Sequence, residues 1–139
     1  MTFSMTHKFE ARINHLAEVM DDVENSVARG ELSAPLGRNV MLCLDELLTN
    51  IIKCAEREKG VVTVELVVRE QSEKLTVLIK DDGPIFNPFG EVKDPDIEAD
   101  LDQRTVGGLG VYFVKQLSET YCYSYKGRQN IVELSFGLR

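Results

Sequence analysis

Three polar side chains in one stretch of the chain have types and a spacing that could do chemistry. The sequence DELLTNIIK, residues 45–53, places Glu46 and Asn50 four residues apart and Lys53 three residues further on. On a helix such side chains share a face, so the three groups would be presented together. A carboxylate can act as a base or bind a metal, and a carboxamide oxygen suits magnesium. For this stretch alone, a solvated polar strip on a buried helix is the more common explanation.

The second candidate is Asp81 with Gly83, where a strand-like alternation ends in the sequence DDGP. Asp, Gly and Pro are common turn residues, so a turn is the simplest interpretation of this segment alone. The functional alternative is an acceptor carboxylate at the mouth of a pocket, where Asp81 could accept the amino hydrogens of a purine. Gly83 would then let the ring approach the backbone closely.

The third candidate is a glycine loop at residues 105–110, which contains Gly107, Gly108, Leu109 and Gly110 and precedes a helical pattern. Three glycines in four residues cost conformational entropy without an evident packing gain. Bare N–H groups at a helix N-terminus bind anions, which favours a phosphate cradle over a loop that needs only positive φ angles. No GK[ST] follows and no first βαβ strand precedes, so the loop is neither a Walker motif nor a dinucleotide fingerprint.

An acidic segment, EVKDPDIEADLDQR, connects the second candidate to the third. Its few apolar residues and Pro95 predict a solvated, moving lid, which we place at about residues 88–106. Metal binding is the alternative, but the spacing of the acids fits no calcium loop. Arg104, near the end of the segment, could reach a terminal phosphate or pair with a neighbouring acid.

The composition predicts one globular domain over residues 1–139. The chain is 43% hydrophobic and 28% charged, which is ordinary for a soluble protein of this length. A net charge of -7 without a basic run argues against sequence-independent binding to nucleic acid or to an anionic membrane. No signal peptide or membrane-spanning stretch is evident, so we expect a cytoplasmic protein. Its three cysteines, none in a CxxC pair, are expected to be reduced core residues.

Hydrophobic periodicity predicts the elements that must position these groups. The first three elements are an edge strand at residues 2–6, a helix from about Lys8 to Arg29 that ends at Gly30, and a helix that opens at residues 33–36, runs to about Glu58 and ends at Gly60. Two strands follow at residues 61–70 and 75–80. After them come the lid, a third helix after the glycine loop, and a closing hairpin. This order predicts an α+β fold with helices on one face of a sheet.

In this order the three motifs resemble the ATP-binding domain shared by the gyrase, Hsp90, histidine kinase and MutL (GHKL) ATPases. The closer resemblance is to the bacterial anti-sigma factor serine/threonine kinases of the RsbW and SpoIIAB type. It is carried by DELLTNIIK, IKDDGPIFNP and GGLGVYFVKQL and covers nearly the whole chain. The resemblance implies a Bergerat-type two-layer α/β sandwich with a mixed, mostly antiparallel sheet.

The resemblance also implies a role for each motif residue. Glu46 would be the general base on the substrate hydroxyl, and Asn50 would bind the Mg²⁺ that bridges the ATP phosphates. Asp81 would hydrogen-bond the adenine amino group, with Gly83 beneath the ring. The remaining nucleotide-binding positions would be Lys53, Arg104, Gly107, Gly108, Leu109 and Gly110.

A protein of this type would transfer phosphate from ATP to a serine of a STAS-domain anti-sigma factor antagonist and would sequester a sigma factor. A homodimer is a family expectation, supported here only by the heptad-like first helix. One alternative is a nucleotide-binding anti-sigma module with little or no kinase activity, and another is a free-standing histidine-kinase catalytic domain. Two positions depart from the family pattern: Ile85 stands where a second glycine is frequent, and Cys54 where His or Tyr is frequent.

Overall fold

The computed structural model describes residues 3–90 and 108–138, which form three helices and one five-stranded sheet. The elements are β1 (Ser4–Glu10), α1 (Ile13–Ala28), α2 (Ala34–Glu58), β2 (Thr63–Gln71), β3 (Lys74–Asp81), α3 (Gly108–Leu117), β4 (Thr120–Lys126) and β5 (Gln129–Gly137). The strand order is β1-β2-β3-β5-β4, and every one of these pairs is antiparallel. The predicted α+β class is therefore confirmed.

The core lies between the helices and one face of the sheet. Alternate residues of β2, β3 and β5 are buried, as the period of two requires of a sheet covered on one face. From the helical side, α2 contributes Val40, Leu44 and Leu48, each with no exposed surface. Full burial of one such side chain stabilises the fold by about 1.5–3 kcal/mol, so α2 is held firmly against the sheet.

Local sequence features fix where α2 begins and how closely it approaches α1. The Ser33 hydroxyl caps the helix by accepting a hydrogen bond from the Leu36 N–H at 3.3 Å. Gly37 faces Val27 of α1, and a Cβ at Gly37 would lie 2.3 Å from a Val27 methyl carbon. Only glycine permits this contact, which sets the position of the helix that carries Glu46 and Asn50.

The predicted start of the first helix at Lys8 is wrong. Residues 4–10 form β1 and pair with β2, with Phe9 opposite Val64, and the helix begins only at Ile13. The error arises because an interval of four residues, as between Phe9 and Ile13, fits both a helix and a strand. Tertiary pairing with β2 decides in favour of the strand.

Other boundaries agree more closely with the pattern. Gly30 adopts the left-handed conformation after α1 as expected, but after α2 that conformation is taken by Lys59, with φ 53°, and not by Gly60. The third helix and the closing β4–β5 hairpin are both present. Cys43 is buried as predicted, whereas Cys122 is exposed on β4.

Apart from residues 88–90, the predicted lid lies outside the described residues, and so do Arg104 and Gly107. Within the ranges given above, no helix has the length and apolar character needed to cross a membrane.

Candidate functional site

The side chains of Glu46 and Asn50 meet on one face of α2. Asn50 Nδ2 donates a hydrogen bond of 3.2 Å to Glu46 Oε1, the contact that a spacing of four residues allows. Both side chains are partly buried, whereas Lys53, one turn further on, is exposed. Lys53 is close enough for its charge to act on Glu46. The structure thus brings together the three groups of the DELLTNIIK stretch.

The surroundings of Glu46 make it a stronger base than an ordinary glutamate. Burial raises its pKa, and this effect outweighs the hydrogen bond from Asn50 and the positive charge of Lys53, which both lower it. The neighbouring charge of Asp45 raises it further. A carboxylate with a raised pKa accepts a proton more readily near neutral pH, which suits a general base.

Gly110 makes room for the Glu46 carboxylate at the contact between α3 and α2. A Cβ at Gly110 would lie 2.2 Å from both Cδ and Oε2 of Glu46. The space that the Glu46 carboxylate occupies therefore explains why residue 110 is a glycine. The resemblance implies a second reason, which is contact with a phosphate. Gly108 and Leu109 form the first residues of the same helix.

Asp81, at the end of β3, is a buried carboxylate with an exposed fraction of 7%. Its Oδ1 accepts hydrogen bonds of 3.0 Å from the Gly83 N–H and from Asn130 Nδ2. Burial raises the Asp81 pKa, the hydrogen bonds from Asn130 and Gly83 lower it, and the charge of Asp82 raises it. A Cβ at Gly83 would lie 3.0 Å from Asp81 Oδ1, so a side chain there would crowd the carboxylate.

One cavity connects the α2 motif to the strand end. Asn50, Asp81 and Gly83 line it together, with Cys54 and Asn130 as further lining residues. The remaining walls are apolar and consist of Leu47, Ile51, Val62, Ile79, Pro84, Phe86, Pro88 and Val132. A mostly apolar cavity with a few fixed polar groups is typical of a site for a small organic ligand. Glu46 and Lys53 do not line it; Glu46 lies beside it through its contact with Asn50.

Asn130 is not among the predicted site residues, although the pattern of β5 contains a signal for it. In β5, residues 130, 132, 134 and 136 all face the core, and Asn130 is the one strongly polar side chain among them. Buried polar groups are almost always hydrogen-bonded, so a polar residue in a buried alternation marks a specific interaction. Its partner could not be identified from the pattern because Asp81 is 49 residues away.

A comparison with known protein families agrees with this geometry. The model of the histidine kinase-like ATPase domain matches residues 9–136. The chain belongs to this family.

Two relatives refine the comparison. Over 113 residues the chain is 25% identical to the serine/threonine-protein kinase BtrW of Bordetella bronchiseptica, a match that spans 81% of this chain and 79% of BtrW. Over 86 residues it is 29% identical to the serine-protein kinase RsbW of Listeria monocytogenes, which covers 58% of this chain and 54% of RsbW. The predicted resemblance to the RsbW type is confirmed, and both names agree with the predicted enzyme class.

The polar groups of α2 fit a magnesium ion that is bound together with a nucleotide. Asn50 Nδ2 is engaged by Glu46, which orients the amide and leaves Oδ1 as a hard oxygen ligand. The described residues hold no cluster of three His, Cys, Asp or Glu side chains. Mg²⁺ does not need one at a nucleotide site, where one or two protein oxygens, phosphates and water complete its shell.

Proposed function

We propose that the protein is an ATP-dependent protein serine kinase and anti-sigma factor. In this proposal it phosphorylates a STAS-domain anti-sigma factor antagonist and sequesters a sigma factor in the cytoplasm. The observation that carries the proposal is the single cavity lined by both Asn50 and Asp81, with Glu46 hydrogen-bonded to Asn50. The names of the two relatives, both protein kinases, support the same reaction.

The Asp81 end of the cavity would bind the adenine. Oδ2 of Asp81 accepts no hydrogen bond within residues 3–90 and 108–138, so it can accept one from the adenine amino group. Gly83 leaves the backbone bare, and the apolar walls can hold the flat ring. ATP binding at this end thus depends on one fixed acceptor in an apolar cleft.

The Asn50 end would serve the phosphates and the transfer step. When bound, ATP and Mg²⁺ supply the phosphoryl group and neutralise its charge. Asn50 would hold the metal, and Glu46 would take the proton of the substrate serine hydroxyl, which its raised pKa favours. We assign the phosphate contacts to Lys53, Arg104, Gly107, Gly108, Leu109 and Gly110. The contribution of these residues is mainly positioning, as expected for phosphoryl transfer.

A transfer assay tests this function. The purified protein is incubated with labelled ATP, Mg²⁺ and STAS-domain proteins that co-purify with it, and phosphoserine is identified by mass spectrometry. We expect transfer to one serine of one such protein. ATP binding without transfer to any candidate would instead support the nucleotide-binding anti-sigma module, and transfer to a histidine would support the histidine-kinase alternative.

A further inference from the structure

Asn130 of β5 makes more hydrogen bonds at the candidate adenine pocket than any of the residues predicted for it. It is 3% exposed and lies opposite Asp81 in the strand register. Its Nδ2 donates to Asp81 Oδ1 at 3.0 Å, to the Pro84 carbonyl at 2.9 Å and to the Gly83 carbonyl at 3.4 Å. One buried amide thus contacts the carboxylate and the loop that follows it.

The orientation of this amide is fixed by its other end. Asn130 Oδ1 accepts a hydrogen bond of 3.0 Å from the Phe86 N–H, a group that can only donate. The Tyr123 hydroxyl of β4 donates a second hydrogen bond of 2.5 Å to the same oxygen. If the amide were flipped, its NH₂ would face the Phe86 N–H and its oxygen would face the Asp81 carboxylate and two carbonyls. In the observed orientation every one of these contacts pairs a donor with an acceptor.

This network determines what the pocket presents to a ligand. Asp81 uses Oδ1 for both of its hydrogen bonds among the described residues, which directs its acceptor capacity for a ligand to Oδ2. Gly83, Pro84 and Phe86 line the cavity, and a backbone group of each is hydrogen-bonded to the same Asn130 side chain. The position of the acceptor and the shape of the adjoining wall are therefore set together.

We propose that Asn130, oriented by Tyr123, is a positioning residue that makes the pocket select a purine with an exocyclic amino group over one with a carbonyl at that position. The proposal rests on the proposed ATP binding at Asp81. Selectivity follows because a carboxylate oxygen held in one place accepts an N–H of the amino group and repels a carbonyl oxygen. Without the hydrogen bond from Asn130 to Oδ1, the Asp81 carboxylate could rotate more freely. Either of its oxygens could then face the ligand.

The test compares ATP with inosine triphosphate, which carries a carbonyl in place of the amino group. Calorimetric dissociation constants are measured for the wild type, Asn130→Ala, Tyr123→Phe and Tyr125→Phe. We expect the wild type to prefer ATP and Asn130→Ala to bind ATP roughly 10- to 100-fold more weakly, with a smaller change for inosine triphosphate. A merely structural role would weaken both nucleotides alike.

The two tyrosine variants isolate the hydroxyl that orients Asn130. Tyr123→Phe removes that hydroxyl and leaves the Phe86 N–H, so we expect ATP binding to weaken by roughly 2- to 10-fold. Tyr125→Phe is the matched control. Tyr125 lies on β4, as Tyr123 does, and is the register partner of Asn130 on β5, but its hydroxyl makes no hydrogen bond to Asn130. Its nucleotide preference should equal that of the wild type.

A pH profile of ATP binding gives an independent readout. The Asn130 hydrogen bond lowers the Asp81 pKa, so its loss in Asn130→Ala raises that pKa further. ATP binding needs the ionised carboxylate, and its weakening on acidification should therefore begin at a higher pH in the variant. The other titratable groups near Asp81 are Asp82, the residue after β3, and Tyr123 on β4, and Cys54 on α2 lines the same cavity; all three are present in both proteins.

The outcomes separate this proposal from the function on which it rests. A wild type that binds no ATP contradicts the proposed function and this inference together. A wild type that prefers ATP, with the same preference and pH profile in Asn130→Ala, overturns the inference alone. If Asn130→Ala does not fold, Tyr123→Phe decides, and an unchanged ratio of the two dissociation constants in that variant overturns the inference.

Discussion

Asp81 and Glu46 are both carboxylates whose pKa is raised by burial, yet Asp81 in the cavity and Glu46 beside it are held differently. Asp81 accepts two hydrogen bonds of 3.0 Å on one oxygen and sits behind a loop tied to Asn130. Glu46 accepts one hydrogen bond of 3.2 Å from Asn50, and its place depends on the space left by Gly110. The proposed adenine end is therefore held by more and shorter hydrogen bonds than the proposed transfer end.

This difference matches what each end would do. A group that recognises a rigid base binds it more tightly when it is ordered beforehand, because less entropy is lost on binding. A general base that acts on the hydroxyl of a protein substrate reaches its catalytic geometry only when that substrate is bound. In the free enzyme, the hydrogen bonds of such a base are often long. Changes at Asp81 should therefore affect nucleotide binding, and changes around Glu46 should affect the rate of transfer.

The largest expected effect is on the rate constant of Glu46→Gln. The glutamine can still accept the hydrogen bond from Asn50 but cannot take a proton, so we expect kcat to fall by about 10²- to 10⁴-fold with little change in ATP affinity. Single-turnover transfer and calorimetry measure the two quantities. Asp45→Asn, the neighbouring exposed acid, is the matched control and should retain transfer. A fully active Glu46→Gln protein would remove Glu46 from the proposed mechanism.

Asp81→Asn should cause the next largest effect, now on binding. The asparagine oxygen can replace Oδ1 for Gly83 and Asn130, which leaves an NH₂ facing the cavity where the adenine amino group needs an acceptor. We expect ATP affinity to fall by about 3 kcal/mol, or ~100-fold. Asp82→Asn is the control, since its Oδ1 only accepts the Thr63 N–H at 2.7 Å. Equal losses in the two variants would contradict the special role of Asp81.

Gly110→Ala should reduce transfer without reducing stability. The added Cβ would displace the end of a flexible Glu46 side chain, so the cost falls on the position of the base. Alanine also favours the helix over glycine by about 0.5–1 kcal/mol. We expect kcat to fall by about 10-fold while the melting temperature stays level or rises. A lowered melting temperature with normal kcat would show that Gly110 serves packing and not Glu46.

The smallest expected effect is a shift in the pH dependence of kcat. The rate rises with pH as Glu46 ionises, and Lys53 lowers the Glu46 pKa. Lys53→Met removes that charge, so the acid limb of the profile should move to higher pH, whereas Asp45→Asn should move it to lower pH. Because Lys53 is exposed, added salt should diminish the shift. If the acid limbs of the wild type, Lys53→Met and Asp45→Asn coincide at low salt, a group other than Glu46 controls the rate.

The parts of the fold and site that depend on local sequence could be predicted. The Glu46–Asn50 contact follows from helical spacing, and α2 begins within the predicted residues 33–36 and ends at Glu58 as predicted. The position of Asp81 at a strand end follows from the end of the alternation.

Contacts between distant residues could not be predicted in this way. No local pattern places Gly110 against Glu46 or Asn130 beside Asp81, since both contacts arise only when α3 and β5 pack into the fold. The boundary between β1 and α1 was missed for the same reason, because pairing with β2 decided it. Local periodicity identifies which residues face inward, and tertiary packing decides what they meet.

The most direct test of a single Mg-ATP site shared by both ends of the cavity is the effect of Mg²⁺ on ATP affinity in Asn50→Ala. Calorimetric titrations compare the wild type and the variant with Mg²⁺ and with a chelator. We predict that Mg²⁺ tightens ATP binding in the wild type but not in Asn50→Ala, which still binds metal-free ATP through Asp81 with wild-type affinity. A variant whose ATP affinity responds to Mg²⁺ as the wild type does would contradict the account.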